Sequence, residues 1–368
     1  MTRWQGKSGP LAVEVVENAC AIPFGGGKER ALTRTAGVFD AAGRPVDRAV
    51  CWRNSSTPVT RPGQSAAGEP AESLPGRWLF GGMLYGHFGH FLCESTARLW
   101  ALGQTEEPLD GVFFFPKRRV GRPARLVRDL MPWLRAAGVD LPVHVSNDPV
   151  HVERLHVPDQ GFGTGDMIGG TPEYRRYVAE SFGAGIPADG AEKVYISRSR
   201  LYSKRGRILG EDRIEAGFAG DGYRIFHPQE HDLAAQIAQY KAARVVVSPD
   251  CSALHLAAFF ARPGDRVAII LRRPGDTVAD FIEQYDAFCG LKPHVADCVL
   301  RVHSFEGARL GQMSEVYAEL DFAALTVSLC EAGFLSTPAT VAAPDPGAIA
   351  AEIAALSERL GAPIVPVA

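Results

Sequence analysis

The chain has 368 residues, 46% hydrophobic and 22% charged, with a formal net charge of -3. That length exceeds an ordinary single domain, and the balance is that of a soluble globular protein, not a disordered or fibrous one. The slightly acidic total excludes a dedicated nucleic-acid binder but leaves room for local basic patches.

Residues 1–80 read as strand-rich and irregular, with weak alternation at 11–16 and a short apolar run at 49–52. The start, Met1-Thr2-Arg3-Trp4-Gln5, lacks the apolar core of a signal peptide. Gly25-Gly26-Gly27-Lys28 is followed by Glu29 and lacks the spacing of a phosphate loop, so a turn is expected. The Pro, Gly, Ser and Ala content of residues 58–76 predicts an exposed loop. From His87 onward the spacing predicts a helix. His87, His90, Glu94 and Arg98 then share one face, three, four and four residues apart, while Phe91, Leu92, Leu99 and Leu102 pack elsewhere. Two imidazoles, a carboxylate and a guanidinium on so apolar a helix point to a functional stripe; the plainer alternative is two core histidines and a Glu94–Arg98 pair.

A buried strand at 112–115, an amphipathic helix at 123–137 and strands at 142–145 and 150–157 come next. A glycine-rich loop at 160–166 and a helix over 171–183 lead to a Gly/Ala/Pro linker at 183–191. Residues 192–273 then alternate short apolar strands (193–197, 223–226, 244–248, 266–271) with helices near 211, 232–243 and 253–261. That rhythm predicts parallel βαβ units. Ligands of such sheets bind beyond the carboxyl ends of the strands. The turn Ser248-Pro249-Asp250-Cys251-Ser252 is therefore a candidate phosphate site, with Ser252 and Ala253 opening a helix whose free N–H groups suit an anion. The basic run from Arg198 through Lys204, Arg205 and Arg207 leaves a neighbouring strand and can supply guanidinium forks; a solvated loop is the alternative. Helices are expected at 277–289, 314–332 and 346–360. Seven cysteines without a Cys-x-x-Cys pair indicate neither zinc ribbon nor disulfide framework, and reduced thiols in a cytoplasmic protein are expected. No run of about 18 apolar residues occurs.

Three patches resemble glycosyltransferase family 61. They are Tyr85-Gly-His-Phe-Gly-His90-Phe-Leu-Cys-Glu94 with Arg98, Tyr195-Ile-Ser-Arg198 with Arg207 and Glu211, and Val245-Val-Val-Ser-Pro-Asp250-Cys-Ser-Ala-Leu254. Phe259, Phe260, Pro263 and Gly264 fit the family's closing phrase. Asp250 stands where the family has a histidine, Cys251 and Ala253 replace glycines, and Gly210 replaces an asparagine. The resemblance implies an α/β protein with two Rossmann-like domains facing a cleft (GT-B type): an acceptor-side domain at 1–185, a nucleotide-sugar domain at 186–300 and a C-terminal helical extension at 301–368. It further implies a metal-independent, inverting hexosyl- or pentosyltransferase of polysaccharide or capsule biosynthesis. No cofactor is expected beyond a nucleotide-sugar co-substrate, a UDP-sugar foremost. A glycan or lipid-linked saccharide is the acceptor, in the cytoplasm, with peripheral contact at the inner membrane face left open. The chain contains no Asp-x-Asp, the motif that would hold a divalent ion on a diphosphate.

On that reading His90 and Glu94 are candidate bases and Asp250 a base or donor-sugar contact. Arg198, Lys204, Arg205, Arg207, Glu211, Ser252 and Ala253 are donor-binding, and His87 and Arg98 acceptor-side. Two alternatives stand beside it: a non-catalytic nucleotide-sugar or glycan-binding protein, and a metal-dependent enzyme using His87, His90 and Glu94 as ligands.

Overall fold

A computed structural model describes residues 9–25, 33–63, 70–201, 206–273, 278–306, 315–337 and 341–367. Lys204 and Arg205, as well as Gly26 to Glu29, lie outside them. The chain divides into two compact units, Met1–Gly185 and Ile186–Ala368, each with its own core.

The first unit is built on a six-stranded mixed sheet in the order Gly37–Phe39, Val13–Ile22, Val150–Pro158, Glu72–Leu84, Gly111–Pro116, Val143–Val145. The last four run parallel; the first two are antiparallel additions at one edge. Gly111–Pro116 is buried along its whole length, as an inner parallel strand covered on both faces should be, which accounts for the run Phe113-Phe114-Phe115. Its neighbour begins at Glu72, inside the stretch expected as an exposed loop, because the alternation of Leu74, Trp78 and Phe80 supplies a core face beyond the proline. This long strand bulges between Phe80 and Gly82. A Cβ on Gly81 would sit 2.2 Å from the Phe114 ring, and Gly82 has φ +87°, so the glycine pair is what lets the strand kink there.

The predicted helix from His87 is not continuous. Phe88–His90 forms a single helical turn, Phe91–Ser95 a π turn and Leu99–Ala101 a 3-10 turn. Ser95 explains the break. Its hydroxyl accepts from Tyr85 N (2.9 Å) and donates to Met83 O (2.9 Å), tying the fifth residue of the turn to the end of the preceding strand. The Thr96 N–H then reaches back five residues to Phe91 O at 3.3 Å.

The second unit carries a five-stranded, all-parallel sheet in the order Arg224–Phe226, Lys193–Ile196, Val245–Pro249, Arg266–Ile270, His294–Ala296. The helices Glu211–Gly220, Leu233–Ala242, Ala253–Phe260 and Ala279–Cys289 alternate with its strands, the doubly wound pattern. The order reverses between Lys193–Ile196 and Val245–Pro249. Residues after 300, expected as helices alone, also form strands. Val299–Phe305, Tyr317–Leu320 and Ile364–Pro366 join Arg207–Ile208 in a four-stranded sheet. Ala318, Leu320, Phe322 and Leu325 share one core with Tyr195, Phe218, Val247 and Ala268, so this region completes the second unit. Among the described residues no helix is long and apolar enough to cross a membrane.

Candidate active site

In the first unit, the strand Glu72–Leu84 delivers its carboxyl end directly into the turn holding the histidines. His90 Nδ1 hydrogen-bonds Glu94 Oε2, so the i, i+4 spacing seen in the sequence becomes a contact. Burial separates the two. Glu94 is 6% exposed, whereas the His90 side chain is 37% exposed. The other carboxylate oxygen accepts from the Tyr85 hydroxyl at 3.0 Å and lies 3.6 Å from Arg53 Nε. Tyr85 also stacks on the imidazole (centroids 5.1 Å, 24°), and burial beside the Glu94 charge pushes its phenol well above the ordinary range. An ionised carboxylate only accepts, so the contact places a proton on His90 Nδ1 and leaves the Nε2 lone pair available. An imidazole oriented by a buried carboxylate in this way can accept a proton at Nε2. His87 lies 5.0 Å from His90, ring to ring, and caps the turn by accepting from His90 N at 3.5 Å. Among the described residues no group of three or more His, Cys, Asp or Glu side chains is arranged to hold a metal ion.

Arg98 does not join this stripe, because the broken helix turns it inward. It is 1% exposed and donates to the carbonyls of Pro158, Arg48 (2.9 Å) and Val50 (2.8 Å) while packing over Phe80. Its expected acceptor-side role gives way to that of a structural pin between segments.

In the second unit, the carboxyl ends of the parallel strands gather Ser197, Arg198, Asp250, Ser252, Arg272 and Arg273. Asp250 is fully buried, and each of its oxygens accepts from one of two successive arginines. Oδ1 accepts from Arg272 N at 3.0 Å and Oδ2 from Arg273 Nε at 2.5 Å; Arg272 Nε donates to the Asp250 carbonyl at 3.1 Å. Asp250, expected as a base or donor-sugar contact, stands here as the counterion of two arginines. Burial lowers the Arg272 pKa, Asp250 opposes that, and the nearby Arg198 and Arg273 charges add to it. Sequence reasoning misses Arg272 and Arg273; the available signal is an arginine pair directly after the buried strand Arg266–Ile270. Ser252 precedes the helix Ala253–Phe260 without a side-chain cap, and Ala253 is buried behind it.

Arg198 remains half-buried at this edge, with its Nη2 on Gly206 O at 3.1 Å. Arg207 departs from the donor-binding expectation. It is 7% exposed, bonded to Ser199 O and paired with Glu352 at 3.1 Å, because its short strand belongs to the second sheet. Glu211 is 2% exposed and takes Arg198 N (2.8 Å) and the Tyr195 hydroxyl (3.1 Å) on Oε1, while Oε2 has no hydrogen-bond partner. Burial pushes its pKa up to about 7, against the lowering effect of the Arg198 N–H and guanidinium.

Residues of both constellations fall inside a single stretch of similarity. Residues 88–268 match the family model described as Glycosyltransferase 61. Over this stretch the chain belongs to glycosyltransferase family 61. A search of curated proteins found no match. The family 61 match takes in His90, Glu94, Arg198, Glu211 and Asp250 but ends before Arg272 and Arg273.

Proposed function

We propose that this family 61 protein is a metal-independent, inverting glycosyltransferase of the GT-B type, with acceptor and base on the first unit and donor on the second. The observation that carries the reading is the Glu94–His90 pair, a partly exposed imidazole backed by a buried carboxylate at the end of a parallel strand. His90 Nε2 takes the proton of the acceptor hydroxyl as that oxygen bonds to the anomeric carbon. The bond from that carbon to the diphosphate breaks on the opposite face, which inverts the centre. The departing nucleoside diphosphate carries new negative charge, and Arg198, Arg273 and the N–H groups around Ser252 and Ala253 are the groups offered to it. A UDP-activated hexose or pentose as donor, a growing polysaccharide as acceptor and work at the cytoplasmic face are the finer parts of the proposal.

The deciding experiment is thermal stabilisation by a panel of nucleotides and nucleotide sugars in the presence of EDTA, followed by product analysis. A selective rise in melting temperature with one nucleoside diphosphate, lost in Arg198→Ala, is expected by mass action. An anomeric centre of opposite configuration in the product completes the case. No response to any nucleotide sinks the reading; binding without turnover on any glycan turns it into that of a nucleotide-sugar-binding protein.

A further inference from the structure

The sheet order of the first unit places a second loop beside the His90 turn. Gly111–Pro116 pairs in parallel with the strand that leads to His87, so both strands release their chain at the same edge. Beyond Pro116 the chain reads Lys117-Arg118-Arg119-Val120-Gly121-Arg122, and Arg125 and Arg128 continue the run with no acidic residue before Asp129. The Lys117 ammonium lies 5.4 Å from the centre of the Tyr85 ring, the same ring that stacks on His90. Lys117 is half-buried, and among the described residues no carboxylate comes within ion-pair distance of it. Arg34 donates to the Lys117 carbonyl at 2.7 Å, and Arg53 Nε lies 3.6 Å from Glu94 Oε1. Lys117 thus feels two arginine charges and one carboxylate, Glu94, which is already bonded to His90 and Tyr85. Burial, with the Arg53 and Arg34 charges, lowers the Lys117 pKa, the cost of holding like charges together out of water.

A surplus of positive charge beside a base is what an anionic substrate neutralises. We propose that the acceptor is anionic, presenting a carboxylate or phosphate group to Lys117 and Arg118 while its hydroxyl faces His90. Two sources share this chemistry, an acidic sugar residue and the diphosphate of a lipid-linked saccharide. The identification of this anion as part of an acceptor rests on the transferase reading; the anion site itself does not.

The test is local to the lysine. Reductive 13C-methylation of the full chain keeps the lysine charges, and the Lys117 signal is identified by its loss in Lys117→Arg. Glucuronate, inorganic pyrophosphate and glucose are titrated at constant ionic strength. The expected result is a saturable shift of the Lys117 signal with glucuronate or with pyrophosphate and none with glucose, persisting in Arg198→Met. A response to glucuronate alone assigns an acidic sugar, and one to pyrophosphate alone assigns a diphosphate-bearing acceptor. In Arg118→Met the responding anion binds about tenfold more weakly, as loss of one charge-assisted contact predicts. No saturable shift with either anion, or a shift abolished by Arg198→Met, overturns the proposal. A sound Lys117 response in a protein that transfers no sugar would retain the anion site and retire the transferase.

Discussion

Among single side chains, burial assigns roles that residue type alone leaves open. His90 and Glu94 are both competent bases on paper, but only His90 presents an edge to solvent. His90→Ala should lower kcat by about two to four orders of magnitude while leaving nucleotide binding intact, read by steady-state rates beside a thermal-shift titration. Glu94→Gln should lose less, since an amide still orients the ring; a variant as inactive as His90→Ala would make the carboxylate itself the base. Arg98→Met leaves three backbone carbonyls without their donor and should cost on the order of 3 kcal/mol or more in urea unfolding. Glu211 links stability to pH. Its folded pKa of about 7 exceeds the ordinary 4.5, so the folded state binds its proton more tightly than the unfolded chain does. Stability is fullest below the ordinary value and falls as pH rises through about 7. The loss is on the order of 3 kcal/mol. Glu211→Gln should flatten that slope in melting curves taken across the range, and an unchanged slope would assign the titration elsewhere.

At the level of elements, the amphipathic and βαβ periods are legible in the sequence. The helices Pro172–Ser181, Leu233–Ala242 and Pro346–Leu360 and four strands of the parallel sheet lie within a residue or two of where apolar spacing puts them, while its edge strand His294–Ala296 is too short to show a pattern. The illegible parts depend on contacts made across the sequence. The turn at His87 breaks because Ser95 bonds to Tyr85 and Met83, and nothing in a helical period announces that. The short strands after residue 298 hold together by pairing with each other and with Arg207–Ile208, too briefly to show alternation. The same limit hides Asp250. Its position after a valine-rich strand marks the turn, but its two arginine partners lie 22 and 23 residues away. Ser95→Ala tests the first of these. It should raise amide exchange across residues 85–95 and reduce kcat through misplacement of His90, while global unfolding shifts by only about 1–2 kcal/mol. Exchange confined to its usual rate would mean that packing of Phe91 against Trp133 fixes the turn by itself.

For the molecule as a whole, two units with separate cores predict separable folding. Residues 186–368 expressed alone should unfold cooperatively and keep the nucleotide response of the full chain; a fragment without a melting transition would mean that the second core depends on the first. The C-terminal helix Pro346–Leu360 belongs to that fragment for a specific reason. Glu352 reaches back with one oxygen to Arg207 and with the other to Gly210 N, 142 residues earlier, and so fastens both ends of the short strand Arg207–Ile208. The last helix is thus a clasp on a strand encoded far upstream, and a premature stop after residue 345 would release Arg207 and Gly210 without altering either residue.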